Sequence, residues 1–282
     1  MMPKSFPSSF LSLAVTLMLA GCAVGPDYQR PEIDIGTAFK EAQAVEGWKP
    51  AQPADTAARG QWWRIYGDNV LDALMQRLNE ANQTIAQAEA NYRQAQALVG
   101  VARAGFMPTV GSNAGVTRSG GGSSSGSGSS TRQYSLTGNV SWEADLWGRV
   151  RREVEASRAD EAAGAADLAA TRLSAQASLA QNYFQLRVLD EQKRLLEATV
   201  KAYERSLQLT RNRYEVGVVG KADVAVAQTQ LESTRAQLVD LAWQRGQYEH
   251  AIAVLVGSAP SQFDLPATAF SQQVPAIPVG LP

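Results

Sequence analysis

The chain reads as a mainly α-helical protein that carries a transmembrane β-hairpin. Three observations predict this class. The stretch from Arg149 to Gly257 contains no proline and is rich in Ala, Leu, Gln, Arg and Glu, the strongest helix formers. Its apolar residues recur three and four positions apart, which is the helical period. Ahead of it, two segments flanking a Gly/Ser run alternate apolar and polar residues with a period of two, as strands do.

Taken in order, the chain begins with Lys4 and an apolar run from Phe10 to Leu19. That run is too short to span a bilayer and suits a signal-peptide core. It ends in Leu19-Ala20-Gly21-Cys22, which resembles a bacterial lipoprotein signal. Residues 1–21 are then the signal and Cys22 is the lipidated residue, its thiol carrying diacylglycerol. Each buried acyl methylene contributes about 0.8 kcal/mol, and stable anchoring takes more than one chain. A cysteine buried after an ordinary signal is the other reading. By the same resemblance, Ala23 rather than Asp after the cysteine favours sorting to the outer membrane. Gly25-Pro26-Asp27-Tyr28-Gln29-Arg30-Pro31 is extended, because proline disfavours helix around it. Residues 22–67 form a lipid-anchored leader, with Trp48, Trp62, Trp63 and Tyr66 pinning it along another surface.

Two helices follow within 68–105. The first runs from about Val70 to Ala81 on Leu71, Leu74 and Leu78. Asn82 breaks it and caps the second, Gln83 to about Ala104, roughly 33 Å long. Pro108 then ends the helix, and residues 106–148 form the hairpin. In Phe106–Thr117 one parity gives Phe106, Pro108, Val110, Ser112, Ala114 and Val116. The second strand is cleaner: Tyr134, Leu136, Gly138, Val140 and Trp142 alternate with Gln133, Ser135, Thr137, Asn139 and Ser141. One apolar face with aromatic ends matches a transmembrane barrel strand, and Tyr134 to Trp142 spans about 26 Å. Tyr134, Leu136, Val140 and Trp142 are the lipid-facing residues of this reading. A half-buried strand of a soluble sandwich shows the same alternation. Ser119–Ser130 consists of Ser and Gly alone, cannot pack a core, and becomes the long extracellular loop. Both strands run on into helices, which places the helices on the periplasmic side.

Residues 149–257 are a long antiparallel helical hairpin. Val150 to about Arg213 makes a rod of roughly 95 Å, and Ala222–Val256 one of roughly 50 Å. At the junction, Tyr214–Lys221, Gly217 and Gly220 let the backbone reverse. The second and last helices together nearly equal the long one, so two short rods stacked end to end run beside one continuous rod.

In this order the segments resemble the TolC-like outer-membrane factors, in their lipoprotein branch. The matching residues are Cys22 with Gly25-Pro26-Asp27-Tyr28; Trp62-Trp63 with Tyr66-Gly67-Asp68 and Leu71; Ala104-Gly105-Phe106-Met107-Pro108; Trp142-Glu143-Ala144-Asp145-Leu146-Trp147-Gly148-Arg149; and Arg213-Tyr214-Glu215-Val216-Gly217 with Asp223-Val224 and Ala227-Gln228. The resemblance implies a homotrimer, each subunit giving four strands to a twelve-stranded outer-membrane barrel and its helices to an α-barrel tunnel. Drugs or other small toxic compounds would pass through it from a periplasmic adaptor protein and an inner-membrane pump. It also implies that Tyr214, Gly217, Val218, Gly220, Lys221 and Asp223 form an adaptor-contact tip. Exposed valines there suit an interaction site, and a plain glycine turn is the bland alternative. The family has two homologous halves, of which this sequence shows one, and 258–282 looks like the linker to the second. Six copies, or a second chain, would then be needed to complete a barrel, since lipid does not tolerate open edges.

Other classes find less support. A net charge of −1 offers no basic field for nucleic acid. One cysteine and one histidine, Cys22 and His250, make no metal cluster, and His250 reads as a solvated or packed helical residue. Gly217-Val218-Val219-Gly220-Lys221-Ala222 fails the phosphate-loop pattern at Glu215 and Ala222. No nucleophile is paired with a base, so no enzyme, cofactor or metal is expected. The alternative function is a lipid-anchored periplasmic coiled-coil adaptor or interaction protein without a pore. Such an adaptor should carry lipoyl-like and small barrel modules, and a coiled-coil spacer a strict seven-residue repeat from which this spacing drifts.

Overall fold

A computed structural model of the protein describes residues 24–29, 31, 60–120 and 130–268. Cys22, Trp48, most of the Gly/Ser run and the tail beyond residue 268 lie outside the described residues. A 3-10 turn at Trp62–Tyr66 precedes helices α1 (Asn69–Ala81) and α2 (Gln83–Ala104). Strands β1 (Thr109–Gly120) and β2 (Ser130–Ser141) follow, then α3 (Arg149–Glu215), α4 (Lys221–Leu255) and a 3-10 turn at Pro260–Gln262. The chain divides into two compact units, Met1–Asp34 with Ala90–Ala166, and Ile35–Glu89 with Asp167–Pro282.

The second unit is helical and holds the core. Helix α1 starts where the Asp68 carboxylate accepts the backbone N–H groups of Val70 (2.8 Å) and Leu71 (3.1 Å), which the helix itself leaves unpaired. Its buried residues are Leu71, Leu74, Met75 and Leu78, one helical face. That face packs with Trp63, Ile85, Leu179, Tyr183, Leu186, Ile252, Val256 and Leu265. Asn82 does what its position predicts: Oδ1 accepts from the N–H groups of Thr84 and Ile85, each at 3.0 Å. Its Nδ2 also donates to Leu255 O at 2.8 Å, joining the α1–α2 break to the end of α4.

Trp62, Trp63 and Tyr66 pin their segment onto this body. Trp63 is buried and its Nε1 donates to Asp72 (2.8 Å), Trp62 Nε1 donates to Gln176 (3.2 Å), and the Tyr66 and Phe184 rings lie 4.7 Å apart. Tyr183 donates its hydroxyl to Asp68 at 2.5 Å. Burial and that bond push the phenol up to about 12, so it remains a donor at any physiological pH.

Helices α3 and α4 are antiparallel within this unit. Tyr203 faces Gln230, Glu204 pairs with Arg235, and Asp190, further back along α3, pairs with Arg245, further on along α4. Gly257, just past α4, has φ +68°, and a Cβ there would stand 2.6 Å from Ala81 O. Only glycine fits that crossing.

The first unit contains the far part of α2, the hairpin and the start of α3. The chain passes close to α3 just after α2: a Cβ on Gly105 would stand 3.1 Å from Val150 Cγ1 and 3.2 Å from Ala102 O, tighter than most side chains allow. The strands pair antiparallel from Thr109 with Ser141 to Gly120 with Ser130. Both therefore sit further toward the Gly/Ser run than the sequence pattern suggests. Phe106 and Trp142 fall just outside the ladder, and Ser119, Gly120 and Ser130 fall inside it. The reason is that ladder bonds are made by backbone, which Ser and Gly supply as well as any residue.

Candidate membrane hairpin and helical tip

The register decides what the hairpin can do. Val110 stands opposite Val140, Ala114 opposite Leu136, and Val116 opposite Tyr134. Side chains of directly opposed residues lie on one face, so the apolar parities of the two strands fall together. Thr109, Gly111, Asn113, Gly115 and Thr117 share the other face with Ser141, Asn139, Thr137, Ser135 and Gln133. The apolar face is uncovered: Tyr134, Leu136 and Val140 are 71%, 83% and 71% exposed. From Val110 to Val116 the stripe runs about 20 Å along the strand, about 15 Å of height at a barrel strand's tilt, and so fits within the roughly 25 Å apolar band of outer-membrane barrels. The soluble-sandwich reading requires a second layer on this stripe, and none covers it among the described residues. No described helix is long and apolar enough to cross a membrane.

At the helix end of the hairpin, Trp142 Nε1 donates to Phe106 O at 3.1 Å, closing the two chains below the ladder. Asp145 then starts α3, accepting from Val150 N (3.2 Å) and Arg151 N (3.1 Å). Burial acts to raise its pKa, but those two N–H groups and the Arg151 guanidinium outweigh it and hold the carboxyl below its usual range. Met107, Leu146 and Trp147 are exposed at this end.

At the tip, Gly217 has φ +76° and carries the chain reversal, with its N–H on Tyr214 O and the Val218 N–H on Arg213 O, both 2.9 Å. Gly220 takes ordinary extended geometry (φ −86°, ψ 163°) before α4, so one glycine, not two, makes the turn. Its N–H is accepted by Asp223 Oδ2 at 2.8 Å, which gives Asp223 a structural role the sequence did not suggest. Tyr214, Val216, Val218 and Lys221 are exposed, whereas Val219 is half-buried. His250 is exposed on α4.

Sequence reasoning missed a buried ionic cluster in the helical unit. Asp190, with 2% of its side chain exposed, accepts from Arg187 (3.1 Å) and Arg245 (2.7 Å). Arg245 also holds Glu249 (3.0 Å). The cluster grips the chain after α4: Arg187 donates to Pro266 O, Arg245 to Leu265 O, and Leu265 N–H to Glu249. On a helical wheel these charges look like a solvated face, because the segment that covers them is far away in sequence.

The model of the outer membrane efflux protein family matches residues 74–258, which takes in both helical pairs and the hairpin. The chain belongs to the outer membrane efflux protein family. It is 33% identical over 281 residues to the toluene efflux pump outer membrane protein TtgC of Pseudomonas putida, covering 97% of this chain and 57% of that one. It is 25% identical over 255 residues to the probable outer membrane lipoprotein SilC of Salmonella typhimurium, covering 90% and 54%. Among solved structures, the outer-membrane channel OprN superposes with a TM-score of 0.75 at 28% identity, over 92% of this chain and 57% of that one. The chain thus spans a little over half the length of the relatives it matches. Membership of this family favours its helical-tunnel and barrel fold over the adaptor and soluble-sandwich folds, and the family's members are channel proteins rather than enzymes.

Proposed function

We propose that the chain is a subunit of the outer-membrane channel of a tripartite efflux system. It would pass drugs or other small toxic compounds outward from a periplasmic adaptor and an inner-membrane pump. The observation that carries this reading is the hairpin: two apolar parities in register, uncovered, at the height of a lipid band, and continuing into paired helices. In this reading Tyr134, Leu136 and Val140 face lipid, and Trp142, one residue past the ladder, sits at the interface. Residues 1–21 are a cleaved signal, Cys22 is the acylated anchor, and residues 149–257 form the tunnel wall in the periplasm. The subunits assemble as a homo-oligomer; the family's trimer takes four strands from each subunit, and the described residues here supply two, so a closed barrel of the same size takes six copies or a second chain.

The α3–α4 tip is the adaptor-contact surface, with Tyr214, Gly217, Val218, Gly220 and Lys221 presented and Asp223 holding the turn. Exposed valines at such a tip favour a protein partner. Val218→Glu, at an exposed side chain of the tip, should weaken crosslinking to the adaptor while the thermal unfolding of the helical body stays put. Unchanged capture would reduce the tip to a turn.

Cell fractionation followed by native mass spectrometry of the detergent extract tests the whole reading. An acylated oligomer from the outer membrane is expected, and Cys22→Ala should remove the lipid mass. A soluble periplasmic monomer would sink the proposal.

A further inference from the structure

The motif Gly25-Pro26-Asp27-Tyr28 has no role assigned to it in the proposed function, and the hairpin unit gives it a partner. Arg152 Nη1 donates to Asp27 Oδ1 at 2.8 Å, and Arg152 Nη2 donates to Gly25 O at 3.0 Å. One step earlier the Val24 N–H donates to Trp147 O at 3.2 Å. We propose that Arg152 is a positioning residue that clasps the leader to the strand–helix junction, so that the acylated amino terminus meets the lipid beside Trp147, level with the helix end of the hairpin. The inference rests on the reading of Cys22 as the lipid anchor and of the hairpin as membrane-inserted.

Both sides of the clasp are shaped in advance. Gly25 has φ +112°, a conformation that L side chains rarely adopt, and Pro26 fixes the next φ. The leader therefore arrives bent, with one carbonyl and one carboxylate turned to the same guanidinium. Arg152 lies in the first turns of α3, its own N–H on Gly148 O at 2.9 Å, and Glu155 Oε2 holds Nη1 at 2.6 Å. Its planar fork suits two acceptors at once.

A surface ion pair alone contributes only about 0–1 kcal/mol, and Asp27 is well exposed. Retention is not what the clasp has to supply, since the acyl chains do that. What it supplies is register. Two residues of chain reach at most about 7 Å, so holding Val24 on Trp147 keeps the residue two positions earlier within that reach of the junction. Met107, Trp142, Leu146 and Trp147 are all exposed there. Aromatic and apolar side chains of this kind suit the headgroup boundary, where the glycerol of a lipid anchor also sits. Two motifs far apart in the sequence, the leader motif and Trp147-Gly148-Arg149-Val150-Arg151-Arg152, are thus two halves of one contact.

The test places a nitroxide on Val24→Cys in the full mature protein, in phosphatidylethanolamine–phosphatidylglycerol vesicles. An acylated Cys22 has no free thiol, so the label reports position 24 alone, and the mass of the same sample reports acylation. An immobilised spectrum is expected in the parent, with several-fold faster motion in Arg152→Gln. Asp27→Asn, on the exposed leader and harmless to the helix, should loosen the label in the same direction. The exchange of Asp27→Arg with Arg152→Asp should restore part of the order. A label as mobile in the acylated parent as in Arg152→Gln overturns the clasp. Mature protein that carries no acyl mass overturns the anchor reading instead, whatever its label reports, and with it the shared height.

Discussion

The helical body and the strands of the hairpin are stabilised in opposite ways. The helical unit buries Trp63, Leu71, Met75, Leu78, Tyr183, Leu186 and Ile252 against one another and pairs the polar tips of Trp63, Tyr183 and Asn82 from within. In the hairpin unit every strand residue is exposed or half-exposed, with its largest apolar side chains turned outward. A two-stranded ribbon is at best marginal in water. The helical body therefore carries its own reason to fold, whereas on the proposed reading the hairpin's reason lies outside the chain, in lipid and in neighbouring strands. A single sequence encodes the two by different rules: periodicity three to four with buried partners, and periodicity two with none.

The sharpest way to break the body is through its buried charges. Asp190 accepts from two arginines in a place where water does not reach. Asp190→Ala leaves the buried Arg187 without its counter-charge and Arg245 with Glu249 alone, and loosens the Leu265–Pro266 segment that both arginines hold. Breaking a buried pair from one side costs about 3–5 kcal/mol. Thermal or denaturant unfolding followed by far-ultraviolet circular dichroism should show that loss, and the hairpin should contribute nothing to it. A variant that unfolds with the parent would mean that the cluster is solvated.

The hairpin should respond to lipid rather than to packing. Leu136→Arg puts a charge on the apolar face near the middle of the stripe and should cost about 2–4 kcal/mol of membrane assembly. Thr137→Arg, the adjacent residue on the opposite face, should be tolerated. Outer-membrane yield and heat-resistant oligomer on gels measure both, and the helical body should unfold at the parent's temperature in either case. Equal damage from the two would remove the sidedness on which the hairpin reading stands.

Much of this comparison was legible in the sequence because it rests on local rules. The leucine spacing of α1, the Asn82 cap and the alternation from Tyr134 to Val140 are each set by residues within one turn or one strand. The limits of the strands were less legible, since side-chain pattern ended at Trp142 while backbone pairing followed the Ser and Gly residues. Contacts across the fold left no local trace. Asp190 and Arg245 look like ordinary helix-surface charges until Leu265 covers them, and Arg152 looks like one more arginine in a basic run until Asp27 meets it. Gly257 is similar: its neighbour Ala81 lies far back along the chain. The tip was half legible, in that a glycine turn was evident but Gly220 and Asp223 act as a cap rather than as a reversal.

The finest probe acts on the joint between strand and helix inside the hairpin unit. Asp145 accepts two N–H groups at the start of α3, and its carboxyl titrates below the usual value of about 3.9. A carboxylate whose pKa is lower folded than unfolded contributes stability above the unfolded value. That contribution is lost as pH falls through the folded value. Hydrogen exchange at the Val150 and Arg151 amides, corrected for the intrinsic rate, should stay protected from neutral pH down to about 4 and open below it. Asp145→Asn keeps one acceptor oxygen but no charge, so its protection should be lower at neutral pH and nearly level with acid. Should the parent show no acid opening, the start of α3 would be held by the helix pair at Gly105 and Val150, and this joint would follow the body's rule of packing rather than a charge of its own.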